Sequence, residues 1–76
     1  MGCIFSPIDA SGIGRTKEDA ITNLISAMKH SCSDIGYQTF LMDSARYHFV
    51  TYQYEDSTYT NKIYFSNKND KYCAYI

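Results

Sequence analysis

The segment TKEDAITNLISAMKHSCSDIG, Thr16 to Gly36, carries the only helical pattern in the chain. Thr16 stands where its hydroxyl accepts from an orphan amide of a first turn, and Asp19 follows three residues later, the T-x-x-D form of a capping box. Glu18 and Asp19 lie at the end where the helix dipole favours negative charge. Ile21, Leu24, Ile25, Met28, Cys32 and Ile35 recur at 3.6-residue spacing and form one apolar stripe, with Ala20 at its edge. Thr22, Asn23, Ser26, Lys29, His30 and Ser33 fall on the opposite face. Gly36 supplies the left-handed position that ends helices at low cost. The expectation is a helix from Thr16 to about Gly36, with every strand packed on its apolar side.

Strands flank it on both sides. Cys3 to Ile8 reads as a first strand, which Pro7 confines to an edge or a bulge. Asp9 to Arg15 is a connection in which Gly12 and Gly14 permit turns or close backbone approach. Gly12-Ile13-Gly14 lacks both the third glycine of a dinucleotide loop and the G-K-[ST] of a phosphate loop. After the helix come Tyr37 to Asp43, Arg46 to Glu55, Tyr59 to Ser66 and Lys71 to Ile76, all rich in β-branched and aromatic residues. Ser44-Ala45, Asp56-Ser57 and Asn67 to Asp70 separate them with turn chemistry.

The turns set a register. A two-residue turn at Asp56-Ser57 pairs Val50 with Ile63, Tyr52 with Asn61 and Tyr54 with Tyr59. A four-residue turn at Asn67 to Asp70 pairs Phe65 with Tyr72 and Ile63 with Ala74. Both choices put Val50, Ile63, Phe65, Tyr72, Ala74 and Ile76 on one face, the core face. The register of the Tyr37 strand stays open: a three-residue loop turns Phe40 and Met42 inward, a two-residue loop turns Leu41 inward. The fold expected is α+β, a single domain over residues 1–76. One amphipathic helix covers one face of a four- to five-stranded antiparallel sheet, in the order β-α-β-β-β-β.

One helix covers one face, so the other stands open. That open face carries Tyr47, Phe49, Thr51, Thr60, Lys62, Tyr64, Cys73 and Tyr75. Cross-strand pairs such as Phe49 with Tyr64 would stabilise the sheet by themselves. The same residues, read as an interface, make Tyr47, Phe49, Lys62, Tyr64 and Tyr75 the candidate partner-binding set, because exposed tyrosines favour hot spots.

Composition excludes more than it assigns. The chain is 45% hydrophobic and 16% aromatic, enough for a globular core and against disorder. Its net charge of −1 offers no footprint for duplex nucleic acid or an anionic membrane. The three cysteines are widely spaced, and no apolar run approaches the length of a secretion signal or a membrane span. Reduced thiols in a cytoplasmic protein are expected. No C-x-x-C, H-E-x-x-H or spaced His/Cys set offers a metal site, His30 and His48 are isolated, and Asp56 and Asp70 belong to turns. No cofactor and no enzymatic activity are expected.

Two local resemblances exist. Met1-Gly2-Cys3-Ile4-Phe5-Ser6 resembles the acylated N-terminus of Src-family kinases, which implies myristoylation of Gly2. Pro7 and the lack of a following basic cluster depart from that pattern. GIGRTKEDAITNLISAM is similar to the last helix of double-stranded-RNA-binding domains, G-x-G-x-[ST]-K-K-x-A. Here Glu18 replaces the second basic residue, and some forty residues of strand follow a helix that closes the domain in that family. In size and style the whole chain looks like the stand-alone inhibitors of phages and other mobile elements, anti-CRISPR proteins among them. The expected function is a non-enzymatic protein-binding module that meets a larger protein, or itself, through the open face. The alternative is single-stranded nucleic-acid binding by base stacking on the sheet aromatics.

Overall fold

A computed structural model describes residues 6–76. Its elements are β1 (Ser11–Gly14), α1 (Lys17–Met28), β2 (Ser33–Met42), β3 (Ala45–Tyr54), β4 (Ser57–Lys62), β5 (Tyr64–Lys68) and β6 (Lys71–Tyr75). One helix and six strands make an α+β fold, with the strands in two antiparallel three-stranded sheets ordered β1-β6-β5 and β2-β3-β4. The single sheet of four or five strands is thus corrected to two sheets of three. The Tyr59–Ser66 strand breaks at Ile63, and its halves, β4 and β5, belong to different sheets. Burial still alternates through the break: Asn61 and Ile63 are buried while Lys62 and Tyr64 face away from the core. The Ile63 N–H also donates to the His48 carbonyl at 2.8 Å, extending the β3–β4 ladder by one residue. The break is therefore a bend that carries one strand from sheet to sheet, a device that lets a small chain wrap its core.

The first strand also differs. Ser6 to Ile8 is not strand, and the part of the expected Cys3–Ile8 strand that precedes Ser6, with the Gly2 acylation motif, lies outside the described residues. The edge strand is β1 instead. It pairs with β6, Gly12 opposite Ala74 and Gly14 opposite Tyr72, and lies directly beneath α1. An added Cβ on Gly12 would stand 2.1 Å from the Leu24 backbone nitrogen and 2.4 Å from the Ala20 oxygen. On Gly14 it would meet Asp19 and Ala20 at 2.5 and 2.6 Å. The two glycines serve close packing of backbone on backbone, one of the two uses open to them from sequence.

The start of α1 is as expected: the Thr16 hydroxyl accepts from the Asp19 N–H at 3.0 Å. Its end is not. The helix stops at Met28, the backbone N–H groups of Ser31 and Cys32 both turn back to the Met28 carbonyl, and Asp34 takes a φ of 51°. The run Lys29-His30-Ser31-Cys32-Ser33-Asp34 is polar and holds serines and an aspartate that compete with helical hydrogen bonds, so the helix lacks reason to continue. Gly36 is a strand residue beside a register irregularity between Ser33 and Gly36. Cys32 and Ile35 reach the core all the same, from the connection and from β2.

The core gathers Ala20, Ile21, Leu24 and Met28 of α1 with Val50, Tyr52, Ile63 and Ala74. Burying a side chain such as Leu24 stabilises the fold by about 1.5–3 kcal/mol. Tyr52 is fully buried, and its hydroxyl donates to Oδ1 of buried Asn61, so the two largest polar intrusions satisfy each other. Burial raises the Tyr52 phenol above its ordinary range.

The core face is the one expected, but both registers shift by two. The turns are Glu55-Asp56 and Asn69-Asp70, which pair Val50 with Asn61, Tyr52 with Tyr59, Phe65 with Ala74 and Tyr64 with Tyr75. Asn69 and Asp70 both have positive φ, as do Asp43 and Ser44 at the β2–β3 turn, the backbone of the tight hairpin whose twist matches the strands. Asp43-Ser44 closes the open question for β2: it pairs Tyr37 with Val50 and Phe40 with Tyr47, so Leu41 shares the core side and Phe40 and Met42 do not.

Gly12→Ala should destabilise the fold by about 3 kcal/mol or more, since helix backbone cannot step aside for the methyl. Gly36→Ala should be neutral or mildly stabilising, because nothing lies within 4 Å of that Cβ and it trims unfolded-state freedom. Urea melts of the two variants check the contrast.

Candidate functional site

Strand periodicity decides what faces outward. With Val50 and Tyr52 inward on β3, Tyr47, Phe49 and Thr51 point away from the helix, and the registers carry that parity to Phe40 and Met42 of β2 and to Thr60 and Lys62 of β4. The bend at Ile63 preserves it, so Tyr64 of β5, then Tyr75 and Cys73 of β6, and Ile13 of β1, continue the same side. The outer faces of the two sheets thus form one surface.

All five residues singled out from sequence come together on it. The Lys62 ammonium lies 4.7 Å from the centre of the Tyr47 ring and 5.3 Å from that of Tyr64. Tyr64 stacks on Tyr75, with centroids 5.8 Å apart and planes 27° from parallel. Phe49 sits opposite Lys62 rather than Tyr64, a consequence of the two-residue shift, and meets Phe40 edge-on at 5.7 Å. The row therefore reads Phe40, Phe49, Tyr47, Lys62, Tyr64, Tyr75. The lysine is held by ring quadrupoles, each such contact worth roughly 0.5–1 kcal/mol at an exposed site.

Sequence reading missed part of this face. Phe40 and Met42 line a shallow depression with Asp43, Tyr47, Phe49 and Lys62, and remain 47% and 58% exposed. The signal that finds them is Asp43-Ser44, whose side chains tolerate the left-handed conformation of a two-residue turn. Ile13, 59% exposed, joins Cys73 and Ser66 at the other end. Cys73 is half-buried, as is Cys32, whose thiol is pushed up by burial.

A second cluster lies on the helix side, where β2 and β3 extend past the helix. The Thr39 hydroxyl donates to the Tyr37 hydroxyl at 2.7 Å, and Tyr37 in turn is bonded to Nδ1 of His48. The Tyr37 and His48 rings stack within 7° of parallel, and His48 meets Phe65 edge-on. Lys17 stands over the Phe65 and Tyr72 rings. Burial lowers the His48 pKa, the Lys17 and Arg46 charges lower it further, and Glu18 opposes them weakly. A neutral imidazole keeps Nδ1 as acceptor for the tyrosine hydroxyl. Among the described residues no three His, Cys, Asp or Glu side chains converge as a metal site would require, and no helix is long and apolar enough to cross a membrane.

His48 gives a pH dependence whose sign is fixed. Its folded pKa lies below the unfolded value of 6.5, so the folded state binds the proton less readily. The stability it contributes is complete above 6.5 and is lost as the pH falls through the folded pKa. The melting temperature should drop on acidification below 6.5, and His48→Gln should flatten that part of the profile; thermal melts across the range check it. Comparison with known proteins returns no match: no family model fits the chain, and no characterised protein or solved structure is similar to it.

Proposed function

We propose that the chain is a small non-enzymatic protein-binding module that docks on a larger protein through its outer sheet face. The observation that carries this reading is the row Tyr47, Lys62, Tyr64 and Tyr75, flanked by Phe40 and Phe49, on a face that no described element covers. Aromatic anchors around a single charge have the composition of an interface core, where tyrosine is enriched and charge depleted. Asp43, Lys68 and Lys71 lie at the margins, where polar groups form a rim. The rings are already stacked, so binding orders few new side chains. An inhibitor of the kind that phages and mobile elements encode, anti-CRISPR proteins among them, needs little more than such a face on a small scaffold. A larger protein in the same cytoplasm is the partner this reading requires.

One observation favours a second reading. The stacked Tyr64–Tyr75 pair beside Lys62 has the elements of a base-stacking platform with a phosphate contact. The near-zero net charge weighs against it.

Tyr64→Ala and Tyr75→Ala should keep a cooperative melt, since 43% and 40% of these residues are exposed, yet lose capture of the partner by thirtyfold or so. Lys62→Ala should change the salt dependence of capture more than its strength. Affinity capture from the source cell with wild type and variants measures both. Salt-sensitive retention of the wild type on single-stranded DNA or RNA, lost in the same variants, would replace the first reading by the second.

A further inference from the structure

The edge of β2 is a separate feature from the aromatic face. β2 is ten residues long and sits at the end of its sheet, paired with β3 alone among the described strands. An edge strand presents a row of backbone N–H and C=O groups, and proteins protect such edges with shortness, lysines, prolines or a covering element. The other three edges here follow that rule: β1 is four residues long and lies under α1, β5 carries Lys68 and ends at the turn before Lys71, and β4, the opposite edge of the β2 sheet, is six residues long and ends in Lys62. β2 does not. From Gly36 to Met42 it reads GYQTFLM, with no charge and no proline, and every one of these residues is exposed.

We propose that two copies of this chain pair edge to edge through β2, antiparallel about a two-fold axis at Thr39. The register irregularity between Ser33 and Gly36 ends the regular part of the strand, leaving Gly36 to Met42, whose midpoint is Thr39. Only a two-fold there overlaps the whole regular segment with itself. It sets Tyr37 against Leu41 of the second copy on the helix side, and Gln38 against Phe40 of the second copy on the outer side. Tyr37 and Leu41, 41% and 66% exposed though they share the core side, then cover each other. Such aromatic–aliphatic cross-strand pairs stabilise a sheet, and no like charges oppose one another in this register. A net charge of −1 per chain raises no barrier to self-association. A two-fold normal to the sheet keeps outer face beside outer face, so β4-β3-β2 runs on into a six-stranded sheet. The occupant that fits is a second copy, because the same seven residues supply both halves of each contact.

The axis gives a decisive experiment, because residue 39 meets its own copy there. Sedimentation equilibrium should show a monomer–dimer equilibrium for the wild type. Thr39→Lys and Thr39→Glu, each folded by circular dichroism, should weaken self-association at least tenfold when alone, and an equimolar mixture should restore the dimer. Tyr64→Ala should dimerise as the wild type does, which separates this edge from the aromatic face. If the Thr39 variants fail to fold, hydrogen exchange of the wild type decides instead, with amides of residues 36–42 protected more strongly as concentration rises. A wild type monomeric up to about 1 mM, single variants that dimerise undiminished, a folded mixture that stays monomeric, a Tyr64→Ala monomer, or concentration-independent exchange over 36–42 would each overturn the proposal.

Discussion

A twelve-residue helix is about 18 Å long, and a ten-residue strand is about 33 Å. That shortfall in coverage governs the molecule. α1 lies over β1 and reaches β6, so the core forms where helix, β6 and the inner half of β3 meet. β2 and the far part of β3 extend past it, which is why Tyr37 and Leu41 stay exposed on the side where sequence alternation would bury them. The opposite side of both sheets carries no helix among the described residues. A chain of this size buries only about 60% of its unfolded surface, so apolar residues left outside are unavoidable, and their placement carries the information.

Within that thin core, two contacts set the fit. Gly12 and Gly14 let β1 approach α1 closer than any side chain would allow, which draws β6 and Ala74 up to Leu24. Tyr52 and Asn61 put polar atoms in the middle of the apolar cluster and bind each other. The pair belongs to adjacent strands, two residues off direct opposition, which is the next position along the same face. An alternative pairing that separated them would leave a buried hydroxyl or amide without this partner, at a cost of roughly 1–3 kcal/mol. The polar pair therefore disfavours alignments of β3 and β4 that separate Tyr52 from Asn61, though a two-residue slip that set them directly opposite would keep it.

Side-chain alternation explains what sequence could and could not convey. Which side of the strands after β2 faces the core was legible, because side chains alternate with period two: Val50, Ile63, Phe65, Tyr72, Ala74 and Ile76 all pack where alternation puts them. The registers were not, because a slip of two residues leaves every side chain on its own face and hydropathy is blind to it. The Asn69-Asp70 and Glu55-Asp56 turns differ from the expected ones by that slip. The five candidate residues on the outer face survive it, while the pairing of Phe49 changes from Tyr64 to Lys62. The helix start was legible because Thr16 and Asp19 bond locally. Its end was not, since Cys32 and Ile35 continue the apolar spacing beyond Met28 although they reach the core from non-helical backbone.

The β1–β6 pairing has a kinetic meaning. Ser11 lies opposite Tyr75, so nearly the whole described chain intervenes between two neighbours in one sheet. The β2–β3, β3–β4 and β5–β6 ladders close through two-residue turns and need little loop closure. The hairpins are local and quick to form, whereas α1 with its attached β1 gains its seat only once β6 has arrived. Docking of that unit is the step of highest contact order, the kind of pairing that slows folding because its loop must close before its contacts form.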